Sequence, residues 1–317
     1  MMMTDPEPES TPDAEPEIRT TSEPQVFPEE TPWGEPLPEW PEAKKTWGGA
    51  WELHAYGSAV MFFLLALAAI YHAIRIAKMS HFPSKCYFMV LNILVLAFSL
   101  ARSVYFFVDA YNYKDVYPAV IALLSENISF PCLGSAYTIL LAALLKTTKY
   151  KRMSTRILSW QVLLAIVLFT FALSFTADFV TAYVLDTNTF LFVCRIIFTV
   201  WGLLFTGAYF YIFARLAFGF MERKKEREHD LRISSENASV ASVVVPKPKI
   251  PLALKVSAFT SVCFLVISAL NIAFMSLRRE VAHLPWTWWS LSFLTRLAEI
   301  GMGITILVVA ALPIYRR

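Results

Sequence analysis

Between positions 51 and 314 the chain is a series of apolar blocks separated by short polar links. Each block runs to roughly 20 residues, the length a helix needs to cross the ~30 Å hydrocarbon core of a bilayer. A helix that is apolar all round has no face to offer water. Lipid offers no hydrogen bonds to the backbone, so each block must satisfy its own peptide groups as a helix. The composition agrees, with 56% hydrophobic and 17% charged residues, less charge than soluble domains carry.

The pattern predicts an all-α membrane protein, a seven-transmembrane-helix bundle, with spans at about 52–77, 84–109, 118–145, 155–181, 189–220, 251–277 and 286–313. The third is the least regular because Pro131 lies inside it. The fifth continues into MERKKEREH, which is helix-compatible.

The first 46 residues are different. They hold ten of the 18 prolines, and twelve acids against Arg19, Lys44 and Lys45. Such a segment cannot bury enough apolar surface to offset its ordering entropy. It reads as a disordered, acidic, proline-rich tail, with 47–317 as the membrane domain. It lacks the basic start and apolar core of a signal peptide.

Basic residues set the orientation. Nineteen Lys and Arg residues fall in the links after spans one, three and five and at the C-terminal end, whereas the other three links hold only Lys114, Arg278 and Arg279. Positive loops stay cytoplasmic. The expected topology is therefore receptor-like, with the N-terminus extracellular, the C-terminus inside and the plasma membrane as the location. Trp47, Trp51, Trp286, Trp288 and Trp289 then share the outer interface, as interfacial tryptophans do.

Six charged residues interrupt the apolar blocks: Arg102, Glu126, Asp178, Arg195, Arg296 and Glu299. At 1.5 Å rise per residue all six fall in the outer half, on five spans, with Arg296 and Glu299 about 15–20 Å down the last one. Charges at such depth face a bundle interior or a water-filled cavity. Arg296 and Glu299 are one helical turn apart and can pair. The cluster is either a structural ion-pair network or an outward-facing pocket for a small charged ligand. Removing Glu299 alone is expected to cost more than removing it together with Arg296, because a buried survivor is left unpaired.

Three stretches resemble the membrane region of the proline-rich transmembrane proteins, third and fourth paralogues: WGGAWELHAYGSAVMFFLLALAA (47–69), LARSVYFFVDAY (100–111) and FPCLGSAYTILLAALLK (130–146). The resemblance covers about 47–317, and the proline-rich tail matches in kind. It implies a multi-pass topology and supplies no catalytic residues. The topology is also that of the G-protein-coupled receptors, but their motifs are absent. The third span ends LLKTTKYKR, the sixth contains SVCFLVISALNIAF and the seventh ends ALPIYRR.

An enzyme is not expected, nor a cofactor or metal. Of the five histidines only His54 and His72 fall in a span; 18 residues apart on one helix, they lie about 27 Å from each other. His54 reads as an interfacial residue. Cys86, Cys132, Cys194 and Cys263 have no metal-ligand spacing, and read best as free thiols. The 222–250 loop is charge-dense and then serine-rich. It is a candidate surface for anionic headgroups, or for a cytoplasmic protein partner controlled by phosphorylation of Ser234, Ser235, Ser239 or Ser242. Its basic charge implies the lipid bilayer rather than nucleic acid. The alternatives to a receptor-like protein are a transporter or channel using the charged cluster, and a membrane scaffold acting through tail and loop.

Overall fold

Apolar side chains cover the outside of this molecule. Phe63, Leu64, Leu67, Leu168, Phe169 and Leu204 are exposed, while arginines and acids lie inside. That inversion suits a bundle whose solvent is hydrocarbon. The structure is a computed structural model that describes residues 37–79, 85–147, 160–183, 252–277 and 284–315, with interspersed positions between 193 and 229. All of them fall in one unit spanning 32–317.

The helices are α1 Trp40–Trp47, α2 Gly49–Ala77, α3 Lys85–Asp109, α4 Ala119–Asn127, α5 Ser129–Thr147, α6 Trp160–Tyr183, α7 Leu252–Ser276 and α8 Pro285–Tyr315. A 3-10 turn, Ala110–Asn112, follows α3. The described positions between 193 and 229 are helical, and no strand occurs among the described residues. Six helical stretches are long and apolar enough to cross a membrane: α2, α3 with its 3-10 turn, α4 with α5, α6, α7 and α8. The fifth expected span, 189–220, is described only at interspersed positions, all of them helical, so among the described residues the structure supports six spans by length and composition.

The irregular third span is two helices meeting at Ile128. Pro131 has no N–H to give the carbonyl four residues earlier. Ile128 keeps helical angles (φ −55°, ψ −26°), and Cys132 N–H donates to Ile128 O at 3.2 Å. The chain therefore crosses as one rod with one missing rung.

The tail boundary shifts. Residues 40–46, which composition groups with the acidic tail, belong to α1. Trp40, Ala43 and Trp47 recur at helical spacing on one face; Ala43 is fully buried and Trp47 nearly so. Pro41 sits in the first turn, and Lys44 and Lys45 in the last, positions that suit proline geometry and the helix dipole. Gly48 stops the helix with φ 49° and ψ −129°, a conformation open to glycine at little cost.

The central helices are α3 and α8. In their membrane windows 56% and 67% of residues are buried, against 28% for α6. Alpha3 packs on α2, α4, α5 and α8; α8 packs on α2, α3, α5 and α7. A Cβ at Gly303 would meet Leu65 Cδ2 at 2.6 Å, so α8 approaches α2 there as small-residue membrane contacts do.

Candidate functional site at the α1 end of the bundle

The two central helices carry three buried charges that meet. Arg102 on α3, and Arg296 and Glu299 on α8, are each no more than 3% exposed. Glu299 joins them: its Oε1 accepts from Arg102 Nη2 at 2.9 Å, and its Oε2 from Arg296 Nη1 at 2.8 Å. Arg102 Nη2 also donates to Ser129 Oγ, at the start of α5, at 3.1 Å. One carboxylate thus serves two guanidinium groups, and the second arginine comes from another helix. Arg102 Nε and Nη1 have no hydrogen-bond partner among the described residues.

Aromatic rings enclose Arg296. Its Cζ lies 5.7 Å from the Phe106 ring centre and 5.6 Å from that of Tyr111, within cation–π range. Its Nε donates to Tyr111 Oη at 3.3 Å. That hydroxyl also bonds His54 Nε2 at 2.8 Å. His54 is fully buried, on the face of α2 that it shares with Trp51, Ala55, Ser58 and Ala59.

Tyr111 reaches this position through a strained turn. It has φ 61°, and Asn112 follows at φ 52°, angles that cost non-glycine residues roughly 1–2 kcal/mol each. The turn is braced from both sides. The Asp109 carboxylate accepts from the N–H groups of Lys114 at 3.0 Å and Val116 at 3.3 Å. Asn112 exchanges two bonds with the Tyr117 backbone, at 3.1 and 2.8 Å.

Above this layer lies an aromatic cap. Trp40 from α1 sits among Trp47, Trp51, Tyr111, Tyr113 and Trp288, with ring centres 5.3–6.4 Å away. Lys44 Nζ stands 4.2 Å over the Tyr113 ring. Burial pushes the Tyr113 phenol up, but the ammonium groups of Lys114 and Lys44 outweigh that and hold it below its ordinary value.

Below the charged layer is a cavity with polar walls from Ser129, Thr199, Ser268, Asn271 and Glu299. Its volume open to water centres is about 20 Å³, room for one or two waters. Among the described residues no three His, Cys, Asp or Glu side chains group as metal ligands.

Of the six charges singled out in the sequence, the structure brings Arg102, Arg296 and Glu299 into direct contact. Asp178, on α6, is elsewhere: its Oδ1 accepts from Asn127 Nδ2 on α4 at 2.6 Å. Asn127 heads a glycosylation sequon in the sequence, and its amide is committed to this bond. Glu126 is buried beside Asn127 and acts electrostatically on the Tyr105 phenol. Arg195, Cys194 and the four serines Ser234, Ser235, Ser239 and Ser242 lie outside the described residues. Cys132 and Cys263 are buried free thiols, and Cys86 is an exposed one. His54, Tyr111 and Ser129 are site residues that the charge search missed. The signal for His54 was the small-residue stripe around it; Tyr111 depends on backbone angles that the pattern does not encode.

Fold and site together define a multi-pass helical membrane protein with a buried charged triad roofed by aromatic side chains. The model of the Proline-rich transmembrane protein 3 domain matches residues 25–317, and the chain belongs to the proline-rich transmembrane protein family. Among its relatives, proline-rich transmembrane protein 4 of Homo sapiens is 35% identical over 97 residues, 31% of this chain and 11% of that protein. The same-named protein of Mus musculus is 34% identical over 97 residues, with the same coverage. The matched stretch thus spans about a tenth of each relative's length.

Proposed function

We propose that this chain is a seven-span membrane protein of receptor-like topology, N-terminus outside and C-terminus inside, that responds to a partner engaged on its extracellular side. The observation that carries the reading is the position of α1. The helix directly follows the proline-rich tail, and its Trp40 ring packs near Tyr111, whose hydroxyl bonds Arg296. Alpha1 is therefore two side chains away from the charged layer of the bundle. The 19-to-3 distribution of basic residues supports the orientation.

Epitope tags ahead of Trp40 and within 222–250 test the topology in intact cells. The first tag is expected to label without permeabilisation and the second only after it. Surface labelling of the loop tag overturns the reading.

A further inference from the structure

We infer that the aromatic box at the α1 end is a binding site for a tryptophan-bearing helical peptide, occupied in this structure by the chain's own α1 as a tethered ligand. The inference rests on the receptor-like reading for its biological side only; the chemistry of the box stands alone.

Four observations support it. The contact is made by side-chain anchors on a short helix. Alpha1 has eight residues, too few to be stable as an isolated helix in water, so its structure depends on docking. The anchor is an indole, Trp40, seated edge-on to Trp51 and Trp288 at 5.3 and 5.5 Å, a geometry that adds attraction beyond simple burial. The connection to α2 is the single residue Gly48, at φ 49°, held by one backbone bond on each side, from its N–H to Lys44 O and from Trp51 N–H to its own carbonyl, so two bonds separate the seated helix from a swung one.

The fit is also incomplete. The indole N–H groups of Trp47 and Trp288 are buried and have no acceptor among the described residues. A buried donor without a partner is destabilising, so α1 is an imperfect occupant. A peptide carrying an acceptor opposite the Trp288 indole, which stays in the box when α1 leaves, would fit better. Tyr111 supplies the consequence of exchange. Its left-handed backbone persists only while its surroundings hold it, and α1 provides part of them. With α1 away, the Tyr111 ring loses its Trp40 neighbour, and more of the strain falls on its bonds to His54 and Arg296 and on the Asp109 and Asn112 braces.

The test uses the full chain in nanodiscs and a fluorescent peptide of sequence 37–48 as the probe. The Trp40→Ala/Trp47→Ala variant, whose own helix lacks its anchors, is expected to bind the peptide about tenfold or more tighter than wild type. That is the penalty a tethered plug imposes when the vacant state is populated under a tenth. The peptide with both tryptophans replaced by alanine is the control. Equal binding to variant and wild type, no binding to either, or equal binding of the control peptide overturns the inference. Hydrogen exchange over 105–117 is the second readout. It is expected to accelerate in the variant and slow again on adding peptide, and unchanged exchange contradicts the link to Tyr111. Binding in nanodiscs without binding to intact cells expressing the variant would leave the box standing and overturn the outward orientation instead.

Discussion

The two ends of the bundle solve the same problem with different chemistry. At the end away from α1, polar side chains between helices are neutral hydroxyls: Tyr137 with Ser261 at 2.6 Å, and Thr260 with Thr305 at 2.8 Å. At the α1 end the contacts are ionic, Arg102–Glu299–Arg296, with Tyr111 and His54 closing the chain. Neutral pairs tolerate loss of a partner, because a lone hydroxyl is cheap to bury compared with a lone charge. An ionic layer does not tolerate it. The α1 end is therefore the part whose geometry is most tightly specified, and it is also the end roofed by a helix that follows the tail.

The largest expected effect comes from breaking the ionic layer at its shared member. Glu299→Gln removes the carboxylate that Arg102 and Arg296 share, a loss of about 3–5 kcal/mol for a broken buried pair. Its apparent melting temperature in detergent should fall furthest of all the variants named here. The structure also changes the expectation for rescue. Because Arg102 shares Glu299, the double variant Arg296→Met/Glu299→Leu still leaves Arg102 buried and unpaired. Recovery is expected in the triple variant that adds Arg102→Met, since apolar side chains of similar size can replace a whole buried ionic group. A single variant that melts like wild type would show the charges to be solvated.

A smaller effect separates the two ends directly. Tyr111→Phe removes two bonds, one of them to a charged group, and is expected to cost about 1–3 kcal/mol. Tyr137→Phe removes one neutral bond and is expected to cost about 0.5–1.5 kcal/mol. The same melting assay compares them; equal losses would erase the distinction between the ends.

The spans were legible because membrane helices announce themselves by length and hydropathy, and the observed ends of α2, α3, α6, α7 and α8 lie within about five residues of the expected ones. The i, i+3 pairing of Arg296 with Glu299 was legible from helix geometry. Arg102 as the third member was readable only as one candidate among several, since depth places a charge along the bundle axis and says nothing about which helices are neighbours. Alpha1 was hidden by composition. Its charges and Pro41 resemble the tail, while three positions, Trp40, Ala43 and Trp47, carry the packing. Tyr111 was hidden for another reason: a tyrosine with positive φ is a product of the Asp109 and Asn112 side-chain bonds, and no periodicity reports it.

The central claim is that the aromatic roof and the ionic layer form one cooperative unit, Trp40 being linked to Glu299 through Tyr111 and Arg296. A double-mutant cycle tests it: unfolding free energies in mixed micelles for wild type, Trp40→Ala, Glu299→Gln and the double variant. Independent sites add within about 0.3–0.5 kcal/mol. A coupling energy clearly above that limit, carried through Tyr111 and Arg296, is the predicted result. Additivity within it would contradict the account and leave the roof and the charged layer as separate features of the same end.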